Sequence, residues 1–122
     1  MFSNKRAIGN LGEFLAVDFL KKKKYKILER NFYTPFSEID IVAKEKKQLV
    51  FVEVKMNQKN EFGLPEERFN YHKKRKLSKA IKAYLLEHKI NGDNWRLDLV
   101  AIEIINNQKP VIRHYSGVDL AT

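Results

Sequence analysis

With 122 residues, 43% of them hydrophobic, the chain is long enough for one packed domain and too apolar for a disordered one, so we expect a single domain over residues 1–122. The absence of cysteine excludes disulfides and thiolate zinc sites, and the lack of any apolar run near ~20 residues or of an N-terminal signal segment predicts a cytoplasmic protein that does not span a membrane. Lysine and arginine outnumber aspartate and glutamate by 24 to 15, a net charge of +9 that favours a polyanionic partner such as nucleic acid, although a solubilising lysine coat gives the same balance.

The first predicted element is a helix over residues 4–23, which Ser3 or Asn4 can cap. Apolar residues recur along it at helical spacing, namely Ile8, Leu11, Leu15 and Phe19. A strand is predicted over residues 25–31. The sequence Thr-Pro-Phe-Ser at residues 34–37 then indicates a turn.

Two more strands follow, over residues 38–43 and 49–55, and a short charged turn joins them into a hairpin. After a loop over residues 56–64, a second helix is expected from Pro65 to about Lys89, because Pro favours the first helical position.

A buried strand is predicted over residues 95–104 and a short edge strand over residues 111–115. The element order αβββαβ(β) predicts an α/β fold, with a mixed sheet flanked by helices. The step from the third strand through the second helix to the fourth strand should be a right-handed parallel crossover.

Charged residues interrupt both strands of the predicted hairpin. Because strand side chains alternate between faces, the register that pairs Asp40 with Glu53 also brings Lys55 to their face. The opposite face is then expected to be apolar, made of Ile39, Ile41, Ala43, Val50, Val52 and Val54. Two carboxylates beside a lysine suit a hard divalent cation held next to a phosphate. The alternative is a set of solvated charges, with Glu53 and Lys55 as a surface ion pair.

Glu13 on the first helix is a candidate third acid. Its neighbours over the next two turns are apolar: Ala16, Val17 and Leu20. A carboxylate among apolar side chains should find a partner, because burying it unpaired is costly. If this helix packs across the charged face of the hairpin, Glu13 joins Asp40 and Glu53. The alternative is a glutamate that reaches solvent at the helix edge.

A basic run lies near the start of the predicted second helix: Lys73, Lys74, Arg75 and Lys76. These residues either track a phosphate backbone or form a solvated helix face. The run lacks the interleaved aromatic residues typical of base stacking. Farther along the chain, Asp98 is predicted to pair with Arg96 or a lysine in a structural role, outside the site.

The acidic motifs together resemble a known group of nucleases. Three segments carry the resemblance: Gly12-Glu13, Glu38-Ile39-Asp40 and Phe51-Val52-Glu53-Val54-Lys55. Their order resembles the D…ExK core of restriction-endonuclease-like nucleases. The match is closest to the uncharacterised bacterial YraN-like family, which is related to archaeal-type Holliday-junction resolvases. Ser37 departs from the family pattern, which usually has glycine before Glu38.

The resemblance implies a restriction-endonuclease-like αβββαβ core and a Mg²⁺- or Mn²⁺-dependent endonuclease that hydrolyses phosphodiester bonds in DNA, with branched or damaged DNA as candidate substrates. It favours DNA over RNA as the partner and leaves RNA as the alternative. A module of the same fold that binds nucleic acid without cleaving it is the alternative. A protein-interaction domain whose charge is incidental is a third interpretation. The relationship to resolvases is compatible with a homodimer.

Site residues follow from the resemblance one by one. Asp40, Glu53 and the Val54 carbonyl would bind the metal. Lys55 would position the attacking water and offset charge on the phosphate. Glu13 would be an accessory ligand of the metal or the water. In this scheme Glu38 would not bind the metal itself but would help to hold its ligands in position.

Overall fold

The computed structural model describes residues 5–57 and 62–120. In chain order its elements are α1 (Lys5–Lys22), β1 (Lys26–Tyr33), β2 (Glu38–Glu45), β3 (Gln48–Asn57), a 3-10 helix (Pro65–Arg68), α2 (Tyr71–Glu87), β4 (Trp95–Glu103) and β5 (Val111–Tyr115). The predicted cap at Ser3 or Asn4 lies outside the described residues.

The five strands form one sheet in the order β1-β2-β3-β4-β5. Strands β3 and β4 are parallel, and the other neighbouring pairs are antiparallel. The predicted mixed α/β sheet, its parallel step and the edge position of the last strand are therefore confirmed.

Helix α1 covers one face of the sheet. Its buried side chains, Ala16, Val17 and Leu20, pack with strand residues that include Ile41, Val50, Val52 and Val100. The helical spacing of these three residues explains why α1 presents one apolar face to the sheet.

Helix α2 covers the opposite face. Its buried residues, Leu77, Ala80, Ile81 and Tyr84, pack against a second set that includes Val42, Phe51 and Leu97. Phe51 stacks edge-on against Tyr84 at a ring-centroid distance of 5.3 Å. The sheet is thus buried on both sides, which suits the long apolar runs of β3 and β4.

The helix predicted from Pro65 to Lys89 is two pieces. A 3-10 turn over Pro65–Arg68 ends at Phe69, whose ψ of 73° is not helical and whose side chain is buried in the α2-side core. Helix α2 then restarts at Tyr71, where the Asn70 side chain accepts a hydrogen bond from the Lys73 amide at 3.1 Å. Burial of Phe69 and this cap therefore break the predicted helix.

The predicted hairpin register is confirmed, because Ile41 pairs with Val52 and Val42 pairs with Phe51. One face assignment was wrong. Ile39 packs in the α2-side core, whereas Ile41 packs in the α1-side core, although the alternation rule puts both on one face.

The alternation fails at the step between Ile39 and Ile41. Their partners on β1 are Phe32 and Arg30, and between those two lies Asn31 with a φ of 54°. A left-handed residue interrupts the pleat, so both strands turn over at this step. Asp40 lies in the middle of the step, at the point where the β2–β3 ladder ends.

Candidate metal centre

Three carboxylates converge at one end of the sheet. Glu13 comes from α1, and Glu38 and Asp40 come from the start of β2. One oxygen of each lies within 4.8 Å of the other two. Glu13 was predicted to join Asp40 if α1 packed across the charged face of the hairpin. That condition was wrong, because α1 packs on the face of Val50 and Val52, yet the two acids meet at the end of the sheet. Glu38 was predicted only to support the site from behind, yet it is a full member of this cluster.

Asp40 also contacts β3. The last backbone pair between β2 and β3 is Ile41 with Val52. Beyond it, Oδ2 of Asp40 accepts a hydrogen bond from the Val54 amide at 2.8 Å. The N–H and C=O of one strand residue point to the same side. The Val54 carbonyl therefore faces the gap that Asp40 occupies, as its predicted role as a ligand requires.

The carboxyl groups of Glu53 and Asp40 lie side by side, within hydrogen-bonding reach of each other. Glu53 in turn pairs with Lys55, whose Nζ lies 3.1 Å from Oε2. The two side chains are only 16% and 12% exposed for Lys55 and Glu53 respectively. This pair is thus not the solvated surface pair of the alternative interpretation, because both charges are largely withdrawn from water.

Glu13 is 8% exposed and has weak charge compensation. Asn31 donates a hydrogen bond to its carboxylate, and Nη2 of Arg30 lies 3.8 Å from Oε1, beyond hydrogen-bonding distance. Among the described residues, no donor reaches Oε1 of Glu13. A buried oxygen without a partner is unusual and calls for a ligand that the protein itself does not supply.

The pKa values of Asp40 and Glu13 are both raised, which agrees with the weak compensation of their charges. Burial raises the pKa of Asp40 well above its ordinary value, and the Glu53 carboxylate raises it further, against the opposing hydrogen bond from Val54. Burial also raises the pKa of Glu13, helped by the charge of Glu38 and opposed by Asn31. The cluster therefore holds more negative charge than its neighbours offset. Oxygen ligands with excess negative charge fit a hard cation such as Mg²⁺ or Mn²⁺.

The basic run predicted to contact nucleic acid lies in the first turns of α2, on the sheet face opposite α1. Lys73, Arg75 and Lys76 are exposed, and Lys74 is half-buried with its Nζ 5.6 Å from the Phe69 ring centroid. The run therefore forms a basic surface on the α2 side of the sheet and is not part of the acidic cluster.

A second polar cluster surrounds Asp98, which is fully buried. The predicted pair with Arg96 is confirmed, with Nε 2.9 Å from Oδ1. Sequence reasoning missed three further partners of this carboxylate: the Tyr25 hydroxyl, the His114 ring and the Gly117 amide. Tyr25 lies 73 positions from Asp98 in the chain, so no local sequence pattern predicts the contact. The structural role of Asp98 stays a prediction.

No helix in the described ranges is long and apolar enough to span a membrane. Comparison with known sequences gives one family match: the model of "Uncharacterised protein family UPF0102" fits residues 12–102, a span that contains all the candidate acids and Lys55. A UPF0102 protein of Carboxydothermus hydrogenoformans is 42% identical over 115 residues, which is 94% of this chain and 97% of the relative.

Two further relatives show the same pattern. A UPF0102 protein of Caldanaerobacter subterraneus subsp. tengcongensis is 40% identical over 99 residues, covering 81% of each chain. A UPF0102 protein of Geotalea daltonii is 38% identical over 120 residues, covering 98% of this chain and 94% of the relative.

Proposed function

The chain belongs to the uncharacterised protein family UPF0102, and from the geometry of its acidic site we propose that it is a metal-dependent endonuclease that hydrolyses phosphodiester bonds in DNA. Family membership confirms the resemblance drawn from the sequence motifs. The proposed setting is the cytoplasm, with branched or damaged DNA as candidate substrates.

One observation carries the proposal: a partly buried cluster of acids in a strongly basic protein. Glu13, Glu38 and Asp40 converge within 4.8 Å, while the chain as a whole has a net charge of +9. The basic surface attracts the phosphate backbone, and the acids would repel it unless a cation lay between them. This combination suits a site at which a cation and a phosphate meet.

Each acid has a place in this scheme. Asp40 and Glu53 would hold the cation with the Val54 carbonyl, since all three border the same gap between β2 and β3. Glu13 would offer the oxygen that no donor within residues 5–57 and 62–120 reaches, and Glu38 would add a further oxygen. When bound, Mg²⁺ or Mn²⁺ polarises the phosphate and lowers the pKa of a coordinated water.

Lys55 supplies the positive charge on the protein's side. Its ammonium, 3.1 Å from Glu53, is held at the edge of the acidic cluster. From there it would neutralise charge that builds up on the phosphate and orient the attacking water. An ammonium is a compact point charge, which suits this role at a crowded site.

A cleavage screen tests the proposal. Linear, nicked, flap and four-way DNA are incubated with the protein in Mg²⁺ or Mn²⁺, alongside Glu53→Ala and Asp40→Asn. The matched control is Asp18→Asn, an exposed acid of α1 that pairs with Lys22. We expect the parent and Asp18→Asn to cut at least one substrate and both site variants to be inactive.

Two results would contradict this function. Cleavage that persists in Asp40→Asn and Glu53→Ala would identify a contaminating nuclease. Tight DNA binding without cleavage of any substrate would make the protein a binding module of the same fold.

A further inference from the structure

Exposed aromatic side chains surround the acidic end of the sheet. They are large side chains exposed to water, namely Phe14, Tyr33, Phe36, Phe62 and Tyr71. Phe14 follows Glu13 directly, and Tyr33 pairs across the sheet with Glu38. The topology also directs Tyr71 there, because α2 begins after β3 ends at the acids. Two exposed aliphatic residues lie toward the other end of the sheet: Leu86 in the last turn of α2 and Ile90 just after the helix.

Two of these rings are interleaved with cations. Nζ of Lys79 lies 6.0 Å from the Phe36 ring centroid, although the residues belong to α2 and to the β1–β2 turn. The Arg75 guanidinium lies 5.7 Å from the Tyr71 ring and donates a hydrogen bond to its hydroxyl. In the sequence, aromatic residues do not alternate with the cations of the basic run. The fold brings rings and cations together.

Alternating rings and cations suit single-stranded nucleic acid. Every base has a π-face that can stack on an aromatic ring, and each stacked base contributes about 1–3 kcal/mol, while cations follow the phosphates. A duplex offers its phosphates but keeps its base faces inside the stack. A surface of this kind therefore distinguishes unpaired from paired nucleotides, which a purely basic face does not do.

We propose that Phe36 and Tyr71 stack unpaired bases, with Lys79 and Arg75 on the flanking phosphates, so that the acidic site acts on DNA with a single-stranded segment beside the cleaved bond. We call the four residues the stacking surface. This inference rests on the proposed nuclease function and narrows its substrate to DNA that has unpaired nucleotides. The net charge of +9 is complementary to that strand.

Binding without metal tests the stacking surface apart from catalysis. Fluorescence anisotropy in EDTA measures the affinity for a labelled oligothymidylate of about 16 nucleotides, a common upper site size, and for a duplex of equal length. The variants are Phe36→Ala, Tyr71→Ala and the ring-preserving Tyr71→Phe. The matched control is Leu86→Ala, which removes a side chain that is 81% exposed and lies near the end of α2.

We expect each alanine variant to bind the oligothymidylate about tenfold more weakly, the effect of losing one stacked base. Duplex affinity should change less than about twofold, since its phosphate contacts remain. Tyr71→Phe and Leu86→Ala should match the parent on both probes. Because Phe36 and Tyr71 are exposed, the alanine variants at these positions should have the same urea unfolding midpoint as the parent.

A tryptophan variant gives a direct signature. In Tyr71→Trp, oligothymidylate should quench the new indole fluorescence because a base lies against the ring, whereas the parent, with Trp95 alone, sets the baseline. Equal quenching in the parent and the variant would contradict stacking at this position.

The outcomes separate this inference from the nuclease proposal. Equal losses on oligothymidylate and duplex, or no loss on either, would overturn the stacking surface even if the parent cleaves DNA; unchanged binding would assign the exposed rings to a protein partner. Selective losses in EDTA would support the stacking surface even if no substrate is cut, and only the nuclease proposal would then fail.

Discussion

The carboxylate of Asp40 replaces a strand backbone as the partner of Val54. Its Oδ2 accepts the Val54 amide at 2.8 Å, just beyond the last β2–β3 backbone pair. One oxygen is thereby fixed, and the remaining oxygen can meet the acids from α1 and β2. The same bond ties the acidic cluster to the strand that carries Glu53 and Lys55, so the candidate groups hold one geometry.

Lys55 should matter for cleavage far more than for folding. Lys55→Ala should lower the single-turnover cleavage rate by at least ~100-fold, the effect of losing one preorganised electrostatic donor. Lys55→Arg should restore little activity, because a planar fork does not replace a point charge. DNA affinity and metal binding, measured in parallel, should remain close to those of the parent. Full activity in Lys55→Ala would reduce this residue to an ion-pair partner of Glu53.

Mn²⁺ should stabilise the folded protein, because the proposed site exists only in the native fold and an ion that binds there favours that state. At roughly 100 times its Kd, the thermal midpoint should rise on the order of 10 °C. Asp40→Asn/Glu53→Gln should abolish the rise, and Asp18→Asn should keep it. A full rise in the double variant would show that the ion binds elsewhere.

Without metal, Asp40→Asn should be more stable than the parent at neutral pH. Burial raises the pKa of Asp40, so the folded state favours the protonated form. Its contribution to stability is present at acid pH, below the unfolded value of 3.8, and is lost as pH rises through the folded value. Asparagine avoids that loss and can still accept the Val54 amide. Urea unfolding in EDTA at several pH values measures the difference, and a variant less stable than the parent at every pH would contradict it.

DNA affinity should fall steeply with salt, since each neutralised phosphate releases counterions. The triple variant Lys74→Glu/Arg75→Glu/Lys76→Glu should flatten the slope of log K against log salt. A matched reversal at the other end of the sheet, Lys21→Glu/Lys22→Glu/Lys47→Glu, should leave the slope much closer to that of the parent. Equal slopes in the parent and the first variant would assign α2's basic run to solvated surface.

Asp98 should stabilise the fold most at neutral pH. Burial alone would raise its pKa, but hydrogen bonds from His114, Arg96 and the Gly117 amide lower it to about 2 from an ordinary 3.8. Its contribution is therefore full above about 3.8 and is lost as pH falls toward about 2. Asp98→Asn should cost about 2–5 kcal/mol at pH 7, because it also removes one of the two carboxylates that pair with Arg96, leaving Glu45.

Urea unfolding of the parent and Asp98→Asn at several pH values checks this prediction. The difference between their free energies of unfolding should decrease as the pH is lowered from about 3.8 toward about 2. A gap that stays constant into strong acid would mean that Asp98 acts by packing alone.

Local rules were sufficient for the hairpin. Period-two alternation and a short turn fixed the pairing of Ile41 with Val52, and with it the approach of Asp40 to Glu53. Helical spacing likewise placed Glu13 beside buried apolar residues. These features depend on neighbours within a few positions or on one hairpin, where sequence patterns are strongest.

Features that depend on distant residues were not predictable. The face predicted for Ile39 was wrong, because Asn31 on the neighbouring strand has a left-handed backbone conformation and both strands turn over there. The same turn brings Glu38 into the acidic cluster. The approach of Phe36 to Lys79 likewise depends on where α2 lies on the sheet, and that placement is set by tertiary packing.

The parallel pairing of β3 with β4 has a consequence for synthesis on the ribosome. The candidate acids and Lys55 all lie before residue 58, yet β3 gains its second neighbour only when residues 95–103 have been made, through nine residue pairs. Until then β3 is an apolar edge strand of a growing chain, and such edges pair readily with other chains. A chain that stops after β3 would contain every candidate ligand and still aggregate before it could hold them in place.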